Sequence, residues 1–461
     1  MDSMLPIPTT SKKVLLLGAG FVTRPTVQIL SDKGISVTVA CRTLDSAKKL
    51  AHGLKNALPI SLDVNDDKAL DEAVGKVDLV ISLIPYTYHV TVVKSAIRNK
   101  KDVVTTSYVS PAMAELDKEA KEAGITVMNE IGLDPGIDHL WAIKTIHETH
   151  QAGGKIKSFL SYCGGLPAPE ASGNPLGYKF SWSARGALLA STNTARFYDA
   201  NKVQEVPGSE IMHALRPYFV YPGFAFWAYP NRDSTPYRER YSIPEAQKII
   251  RGTLRYQGFA EFFRTLVAMD LLSQEERDFL KPNPEGHPMS WAEATSKILG
   301  ATSRAEDDLV WAVSSKTQFK DNEEKSRVIA GLRWLGLFSN ADIIPRRTPL
   351  DTLCATLETK CAYEPGERDM VMLQHKFEIE KADGTSETRT STLCDYGDPK
   401  GYSSMAKLVG TPCAVAVLQI FDGTIKEKGV LAPMSWDLCE PLLRTLKEEY
   451  GIELKEEVVG V

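Results

Sequence analysis

Two glycines near the start of the chain have the spacing of a dinucleotide-binding turn. Gly18 and Gly20 stand between the apolar run from Lys13 to Leu17 and an apolar-periodic stretch that ends near Leu30. Gly18 permits a tight turn, and Gly20 lets the backbone approach a pyrophosphate at a helix N-terminus. Thr23 replaces the third glycine of the fingerprint, so close helix–strand packing is less assured. The strand–turn–helix context predicts dinucleotide binding, with a plain turn as the alternative.

The residues after the second apolar run favour NADP over NAD. An NAD site places an acidic side chain about 20 residues past the glycines, on the ribose 2′-hydroxyl, whereas an arginine accommodates the 2′-phosphate of NADP. This chain has Arg42 and Thr43 there, and no acidic residue before Asp45. A guanidinium and a hydroxyl can both donate hydrogen bonds to a phosphate. The alternative is that Arg42 is only a solvated charge at the end of a strand.

Six short runs rich in β-branched residues alternate with helical patterns over the first 130 residues. The runs are Lys13 to Leu17, Val37 to Ala40, Pro59 to Leu62, Leu79 to Ile84, Val103 to Thr105 and Ile125 to Met128. This alternation predicts an α/β fold with a doubly wound parallel sheet. Ligands of such sheets lie outside the carboxyl ends of the strands. We therefore expect Asp63 on the adenine side and Asp134 near the reacting groups, although both could simply shape turns.

A different pattern begins after Gly136. Lys155 to Cys163 alternates like a half-exposed strand, and the runs Leu373 to Glu380 and Ser386 to Cys394 predict an antiparallel hairpin. From about Pro244 to Phe338 the pattern is helical. The helical positions are Ile249, Ile250, Phe262, Phe263, Leu266 and Val267, with capping-box spacing at Ser290 and Glu293 and at Ser303 and Glu306. We expect a second domain with an antiparallel sheet and a helical insertion.

Composition and charge exclude several classes of protein. Of 461 residues, 43% are hydrophobic and 25% charged, as in ordinary globular proteins. The net charge is −5 and no long basic run occurs, so neither nucleic acid nor a membrane is an expected partner. The apolar stretches fall short of the ~20 residues that span a bilayer, and we expect no secretory signal from the N-terminal residues. The seven cysteines form no C-x-x-C pair, and neither His89 nor His139 has a third ligand at metal spacing. We expect no disulfide framework, no metal site and a cytoplasmic location.

Eleven sequence blocks, in order along nearly the whole chain, resemble the saccharopine reductases, which are the NADP-dependent, L-glutamate-forming saccharopine dehydrogenases of the α-aminoadipate lysine pathway. The blocks are GAGFVTRP, VTVACRTL, ISLDVNDD, VISLIPYT, VMNEIGLDPGIDHL, LSYCGGLPAPE, NPLGYKFSWS, YPNRDSTPY, RGTLRYQGF, LDTLCATLE and GYSSMAKLVGTPCA. Long strings such as EIGLDPGIDHL are far more specific than a glycine-rich turn.

The resemblance implies a reversible reductive condensation. L-Glutamate, L-2-aminoadipate 6-semialdehyde and NADPH would give L-saccharopine, NADP and water, in the penultimate step of lysine biosynthesis. The resemblance also implies a homodimer of three-domain chains. Residues 1–134 and 395–461 would form the NADP-binding Rossmann domain, and residues 135–242 and 351–394 a substrate and dimerisation α/β domain with a mainly antiparallel sheet. Residues 243–350 would form an all-helical domain that closes the cleft.

The same resemblance assigns site residues to this chain. Beyond the turn glycine Gly18, the implied cofactor contacts are Gly20, Phe21, Val22, Thr23, Arg42, Thr43, Asp63, Val64, Ile84, Thr106, Ser107, Leu133, Asp134 and Pro135. The implied substrate contacts are Ser107, Tyr108, Asp134, Arg232, Thr253, Leu254 and Arg255. Trp182, near Tyr178, is a further candidate for the wall of the nicotinamide pocket, with core packing as the alternative.

The proposed chemistry accounts for these residue types. Saccharopine has three carboxylates, and Arg232 and Arg255 could each bind one through two hydrogen bonds. The carbinolamine and imine steps need a proton donor and acceptor, for which Tyr108, Asp134 and Cys163 are the candidates. Cys163 lies on an apolar strand pattern, where a cysteine is more often a core residue than a catalyst. Because the substrate's own amine and carboxylates could move protons, we expect single substitutions to slow turnover rather than abolish it.

Three other functions remain open on the sequence alone. The NAD-using saccharopine dehydrogenase of lysine breakdown resembles the same blocks, although it is often fused to a second enzyme for which this length leaves no room. A homospermidine or carboxyspermidine synthase would use a diamine, which two carboxylate-binding arginines do not suit. A non-enzymatic NADPH sensor would need no convergent polar groups beyond the nucleotide site.

Overall fold

The computed structural model describes residues 12–282, 286 and 289–459. The strands within these residues are β1 (Lys13–Leu17), β2 (Ser36–Cys41), β3 (Ala57–Ser61), β4 (Leu79–Ser82), β5 (Asp102–Thr105), β6 (Thr126–Met128), β7 (Lys155–Pro167), β8 (Ala195–Asp199), β9 (Lys202–Val206), β10 (Arg216–Pro217), β11 (Phe226–Pro230), β12 (Lys248–Tyr256), β13 (Asp369–Glu380), β14 (Ser386–Tyr396), β15 (Gly429–Leu431) and β16 (Lys455–Val458).

The helices are α1 (Arg24–Asp32), α2 (Leu44–Ala51), α3 (Asp67–Gly75), α4 (His89–Asn99), α5 (Pro111–Ala114), α6 (Asp117–Ala123), α7 (Ile137–Gln151), α8 (Ala184–Ala190), α9 (Tyr237–Arg240), α10 (Phe259–Ala268), α11 (Trp291–Leu299), α12 (Glu306–Lys316), α13 (Asn322–Leu335), α14 (Pro349–Lys360), α15 (Ser404–Phe421) and α16 (Trp436–Tyr450).

The chain forms two compact units. The first comprises the described residues up to Gln151 together with Met405–Leu454, and the second comprises Ala152–Ser404 with the described residues from Lys455 onward. The chain therefore leaves the first unit after α7 and returns to it at α15. The division into three domains that the sequence suggested stays a prediction, with α7 in the first unit here rather than in the substrate domain.

The first unit is built on a parallel sheet with the order β15-β6-β5-β4-β1-β2-β3. β1 and β4 are almost completely buried because they lie in the middle of the sheet and are covered on both faces. The six strands predicted from the first 130 residues all form, each within a few residues of its expected bounds. The seventh strand, β15, comes from the C-terminal segment and extends the sheet beyond β6.

Helix α15 packs closely against the start of α1 in the first unit. The hydroxyl of Thr26 donates a hydrogen bond of 2.9 Å to the carbonyl oxygen of Gly410, and a Cβ at Gly410 would lie 2.8 Å from the carbonyl oxygen of Val22. In the described chain, α15 is the one helix whose length and composition would allow it to cross a membrane, with 18 residues and a mean hydropathy of 1.5. Most of it is buried in the protein, as in the core helix of many folded domains.

The second unit is built on a mixed sheet with the order β10-β11-β12-β7-β13-β14-β16, and β8 and β9 join it beside β12. The pairing is antiparallel except between β7 and β12. β13 and β14 form the predicted hairpin around Asp383-Gly384, where Gly384 has a φ of +82°. Helices α10 to α14 follow β12, and their apolar faces share one hydrophobic core with the sheet.

Two local predictions for this unit are wrong. Ile249 and Ile250 lie in strand β12 and not in a helix. A short apolar run that is buried on both faces carries no periodicity that separates a strand from a helix. Ser290 caps α11 as predicted, because its Oγ accepts a hydrogen bond from the Glu293 amide. Ser303 does not cap α12, whose first residue is Glu306 and whose N-cap is Ala305.

Candidate functional site

The candidate cofactor residues of the first unit lie at the carboxyl edge of the parallel sheet. The glycine turn follows β1, Arg42 and Thr43 follow β2, Asp63 and Val64 follow β3, Ile84 follows β4, the segment 106–108 follows β5, and the segment 133–135 comes after β6. Because all of these strands run in the same direction, the loops share one edge of the sheet.

The glycine turn has the backbone geometry that the motif predicts. Gly18 has a φ of +112°, and a Cβ at this position would lie 2.6 Å from the carbonyl oxygen of Leu83. Both the backbone conformation and the steric clash therefore exclude a side chain at this position. At Gly20 no described heavy atom lies within 4 Å of a Cβ position, so the turn is open there. Thr23 is buried and donates from its hydroxyl to the carbonyl oxygen of Gly20 at 2.7 Å.

The side chains around this turn are arranged to leave its outer surface accessible. Phe21 is 66% exposed and Val22 is half-buried. The open backbone at Gly20 lies just before α1, whose free N–H groups attract negative charge. The turn therefore fits a pyrophosphate.

Arg42 is available for an anionic ligand. Its side chain is exposed, and it forms no ion pair with any described residue. Asp45, the nearest acidic side chain in the sequence, lies 3.5 Å from the Lys48 ammonium instead. Thr43 is exposed beside Arg42 at the start of α2. The residues at the end of β2 therefore fit a 2′-phosphate, which needs cationic and hydroxyl donors.

Asp63 has a structural partner of its own. Its Oδ1 accepts hydrogen bonds from the backbone and side-chain amides of Asn65, at 3.0 and 2.9 Å. This Asx turn is the turn-forming role that the sequence left open, and the cap of α3 is Asp66. Val64 is buried, and Ile84 lies close to Gly18.

Ser107 lies against a buried histidine that the sequence did not connect with it. His89, only 3% exposed, has Nδ1 at 2.8 Å from Ser82 Oγ and Nε2 at 2.8 Å from Ser107 Oγ. The hydroxyl of Thr105 lies 3.1 Å from the same Nε2. Burial lowers the pKa of His89 to about 4, so the ring is neutral at physiological pH. One ring nitrogen then donates and the other accepts, which orients the three hydroxyls.

Tyr108 and Asp134 are brought together by the loops after β5 and β6. The phenol hydroxyl of Tyr108 donates to Asp134 Oδ1 at 2.6 Å. Both side chains are half-buried, whereas Leu133 and Pro135, which flank Asp134, are buried. The two loops approach closely because Gly132 has no Cβ, which would lie 3.1 Å from the Thr106 Cβ. The pair has the residue types and spacing for proton transfer.

In the second unit, strands β7 and β12 place the proton-transfer candidate Cys163 close to two candidate substrate residues. Cys163 is paired in register with Thr253, and Arg255 follows on the same face of β12. The Thr253 hydroxyl accepts a hydrogen bond from the Asn231 side chain at 3.1 Å. Leu254 faces the opposite way and is fully buried in the hydrophobic core, so its side chain does not join these residues.

Arg255 is a buried cation enclosed by aromatic rings. It is 4% exposed, and its guanidinium carbon lies 4.9 Å from the centre of the Tyr178 ring and 5.0 Å from that of Phe259. One guanidinium nitrogen donates to the carbonyl oxygen of Leu254 at 3.2 Å, but no carboxylate of a described residue lies within ion-pair distance. A buried charge is costly without an opposite charge, so this site favours an anionic ligand.

The remaining candidates of the second unit have different surroundings. Trp182 is half-buried and donates from its indole to the Tyr178 hydroxyl at 3.3 Å, which places it near the Arg255 cage. Arg232 is exposed and has a φ of +57°. The sequence reasoning missed Arg251, which is buried on the Arg255 face of β12 with its guanidinium 4.3 Å from the Tyr237 ring centre.

The described residues contain no group of three or more His, Cys, Asp or Glu side chains that could hold a metal ion. The buried acidic residue Glu130 and the histidines His89 and His139 are paired within the protein instead.

Comparison with known proteins decides the family. A family model described as "Saccharopine dehydrogenase NADP binding domain" matches residues 14–128, and one described as "Saccharopine dehydrogenase C-terminal domain" matches residues 132–452. The chain is 66% identical to saccharopine dehydrogenase (NADP(+), L-glutamate-forming) of Pyricularia oryzae, over 98% of this chain and 100% of that protein. It is 58% identical to the protein of the same name from Schizosaccharomyces pombe, over 97% and 99%. This chain belongs to the saccharopine dehydrogenase family.

A solved structure supports the fold of this family member. Apo saccharopine dehydrogenase (L-Glu forming) from Saccharomyces cerevisiae shares 57% sequence identity, covers 98% of this chain and 100% of its own, and superposes with a TM-score of 0.87. The predicted fold class, a Rossmann sheet with a second, mainly antiparallel α/β domain and inserted helices, is confirmed. The family resemblance seen in the sequence blocks is likewise confirmed.

Proposed function

We propose that this chain catalyses the NADPH-dependent reductive condensation of L-glutamate with L-2-aminoadipate 6-semialdehyde to L-saccharopine, reversibly, in lysine biosynthesis. The observation that carries the proposal is the buried Arg255 guanidinium, which has no carboxylate partner among the described residues. Substrates that carry several carboxylates would supply the missing charge. The family relatives named for this reaction give the proposal its specific substrates.

The cofactor of the proposed reaction is NADP(H). The open turn at Gly20 would hold the pyrophosphate, and Arg42 and Thr43 would hold the 2′-phosphate. When bound, NADPH supplies the hydride that reduces the imine. The contribution of the protein is to align the reactants and to exclude water.

The Tyr108–Asp134 pair is our candidate for proton transfer in the carbinolamine and imine steps. The 2.6 Å hydrogen bond lets the Asp134 carboxylate accept the proton of the Tyr108 phenol as the phenol oxygen takes a proton from the substrate, and the same protons return along this path in the opposite step. Cys163 is the weaker candidate because it is buried in the strand core. We expect Tyr108→Phe to lower kcat by roughly 10- to 100-fold without abolishing it. A folded Tyr108→Phe enzyme without measurable turnover would contradict the expectation that the substrate's own groups can move protons, and an unchanged kcat would contradict the role of Tyr108.

The test of the function is the reduction of NADP or NAD by saccharopine, followed at the reduced-nicotinamide absorbance band, with glutamate measured as product. We expect strong preference for NADP. Preference for NAD would favour the catabolic type of saccharopine dehydrogenase, and tight NADPH binding without any reduction would favour a sensor.

The role of Arg42 can be measured in the same assay. Losing a charge-assisted contact to phosphate costs about 1.5–3 kcal/mol, so Arg42→Ala should raise the KM for NADP by roughly 10- to 100-fold and leave the KM for NAD unchanged. Arg304→Ala, which removes an exposed arginine in the second unit, is the control. Equal effects of Arg42→Ala on both cofactors would make Arg42 a surface charge.

A homodimer and a cytoplasmic location complete the proposal. Both rest on the family resemblance. Light scattering should give twice the chain mass of 50.8 kDa, and fluorescence microscopy of the tagged protein should show cytoplasmic signal. A monomer, or signal confined to an organelle, would contradict the respective proposal.

A further inference from the structure

Three buried ionisable side chains lie next to the loops that carry Tyr108 and Asp134. Glu130 and His139 are 0% exposed, and Nε2 of His139 lies 2.8 Å from Oε2 of Glu130. The other ring nitrogen of His139 lies 3.6 Å from a carboxylate oxygen of the buried Asp138. Burying such groups costs free energy even when they are paired, and an apolar replacement often stabilises a protein. The cluster therefore needs a reason other than stability.

Glu130 holds the loop of Tyr108 on both sides. Its backbone N–H donates to the carbonyl oxygen of Ser107 at 3.1 Å, and its Oε1 accepts a hydrogen bond from the Val109 N–H at 3.0 Å. Glu130 also has a φ of +58°, which is unfavourable for a residue with a side chain and persists only where the surroundings impose it. The backbone on either side of Tyr108 is thus fixed by one residue.

Asp138 and His139 hold the loop of Asp134 in the same manner. Oδ1 of Asp138 accepts from the Gly136 N–H at 2.6 Å, and the Asp138 N–H donates to the carbonyl oxygen of Leu133 at 3.0 Å. The His139 N–H donates to the carbonyl oxygen of Gly136 at 2.9 Å. Since His139 also contacts Glu130, one buried cluster joins the two loops.

We propose that Glu130 and His139 are positioning residues that set the Tyr108 hydroxyl against the Asp134 carboxylate. This inference rests on the proposed function, in which that pair transfers protons. We place neither side chain in contact with the substrate, because Glu130 bonds the Val109 amide and the two side chains face each other. They act through the backbone of the two loops, where a displacement of about 1 Å can slow a reaction by as much as 100-fold.

The first test is a double-mutant cycle in saccharopine oxidation. We expect Glu130→Gln to lower kcat on the order of 10-fold with little change in the KM for NADP. In a Tyr108→Phe background the same substitution should change kcat less than twofold, because the group that Glu130 positions is gone. Glu119→Gln makes the same chemical change on an exposed glutamate of α6 and should leave kcat unchanged. Full additivity of the effects of Glu130→Gln and Tyr108→Phe on kcat would overturn the proposal.

A pair of substitutions at His139 separates positioning from packing. Glutamine can place an amide donor near the position of the imidazole Nε2 and bond Glu130, whereas leucine fills similar space without a donor. We expect His139→Gln to retain at least fivefold more activity than His139→Leu. Equal activities would overturn the proposal. If Glu130→Gln does not fold, this comparison still decides.

The last measurement does not depend on turnover. Hydrogen–deuterium exchange of the cofactor-free protein should be faster in Glu130→Gln than in the parent for peptides covering residues 105–110 and 131–136, and unchanged in the sheet strands. Exchange that is unaltered in both peptides would overturn the proposal. If the parent enzyme does not oxidise saccharopine, the proposed function fails, while the exchange experiment still tests whether the cluster holds the loops.

Discussion

The buried His89 makes the stability of this protein sensitive to acid. The unfolded chain binds a proton at His89 near pH 6.5, whereas the folded protein resists protonation until about pH 4 because the ring is desolvated. The folded-state pKa is the lower one, so the stabilisation is complete above pH 6.5 and declines as the pH falls toward 4. From the two pKa values, lowering the pH from 7 to 5 costs about 2 kcal/mol at this residue.

The substitution His89→Gln removes this titration and keeps an amide that can bond the surrounding hydroxyls. Variant and parent share every other titratable group, so the difference between their pH dependences isolates residue 89. We expect the parent to lose about 2 kcal/mol more than the variant between pH 7 and pH 5, which corresponds to a shift of about 4–8 °C in the thermal midpoint of a unit of this size. His52→Gln, at an exposed histidine, should behave like the parent.

Thermal unfolding followed by circular dichroism at pH 7 and pH 5 measures the difference. Nitrogen-15 labelling of the histidines then reports the His89 titration directly, and its ring signals should not change between pH 7 and pH 5.5. If His89→Gln shows the same loss of midpoint as the parent, or if the ring titrates near pH 6.5, the reasoning from burial is wrong.

Three further substitutions test local geometry. Gly18→Ala should weaken NADPH binding at least tenfold in a fluorescence titration, because its Cβ would lie 2.6 Å from a backbone carbonyl oxygen and its φ is +112°. Gly20→Ala, whose Cβ has space, should unfold like the parent. Binding of NADPH by Gly18→Ala as tight as by the parent would contradict the turn geometry. Gly410→Ala should destabilise the protein by about 1–3 kcal/mol in urea unfolding, because the added Cβ would push α15 away from the glycine turn. An unchanged urea midpoint would contradict the close packing of α15 on the start of α1. Ser290→Ala should lower the free energy of unfolding by about 1 kcal/mol in the same assay, and Ser303→Ala should lower it much less, because Ser290 caps a helix and Ser303 does not. Equal losses of free energy would contradict the cap assignment.

The first unit was largely predictable because its signals are local. A buried parallel strand is a continuous apolar run, and each such run in the first 130 residues is followed along the chain by a helix. The glycine turn was predictable because its pattern places a glycine where the backbone needs a positive φ, which Gly18 has. The hairpin of β13 and β14 was equally accessible, because Asp383-Gly384 is a turn signal between two runs of strand length.

The rest depends on contacts between residues far apart in the chain. Strand β15 has three residues, and its place beside β6 follows from pairing across about 300 residues, which no local pattern encodes. The packing of α15 on α1 has the same origin, because Gly410 and Thr26, which make the close approach, are 384 residues apart in the chain. Strand β12 was predicted as helix because its apolar residues lie in a strand that is buried on both faces.

The candidate site shows which polar residues a sequence can and cannot assign. Tyr108, Asp134 and Arg255 follow recognisable motifs, but Glu130 stands inside an apolar stretch with no partner nearby in the sequence. Its partners are the Val109 amide, 21 residues earlier, and the His139 ring, nine residues later on the next helix. The available signal was physical: a carboxylate in an otherwise buried segment must meet a donor. The same argument applies to His89, which is buried in the first turn of α4 and meets three hydroxyls. Both residues hold the loop after β5: Glu130 bonds the backbone of Ser107 and Val109, and His89 contacts the Ser107 hydroxyl. Buried polar residues that fix this loop can keep the Tyr108 hydroxyl in place before any substrate binds, which is the preorganisation that the proposed proton transfer with Asp134 requires.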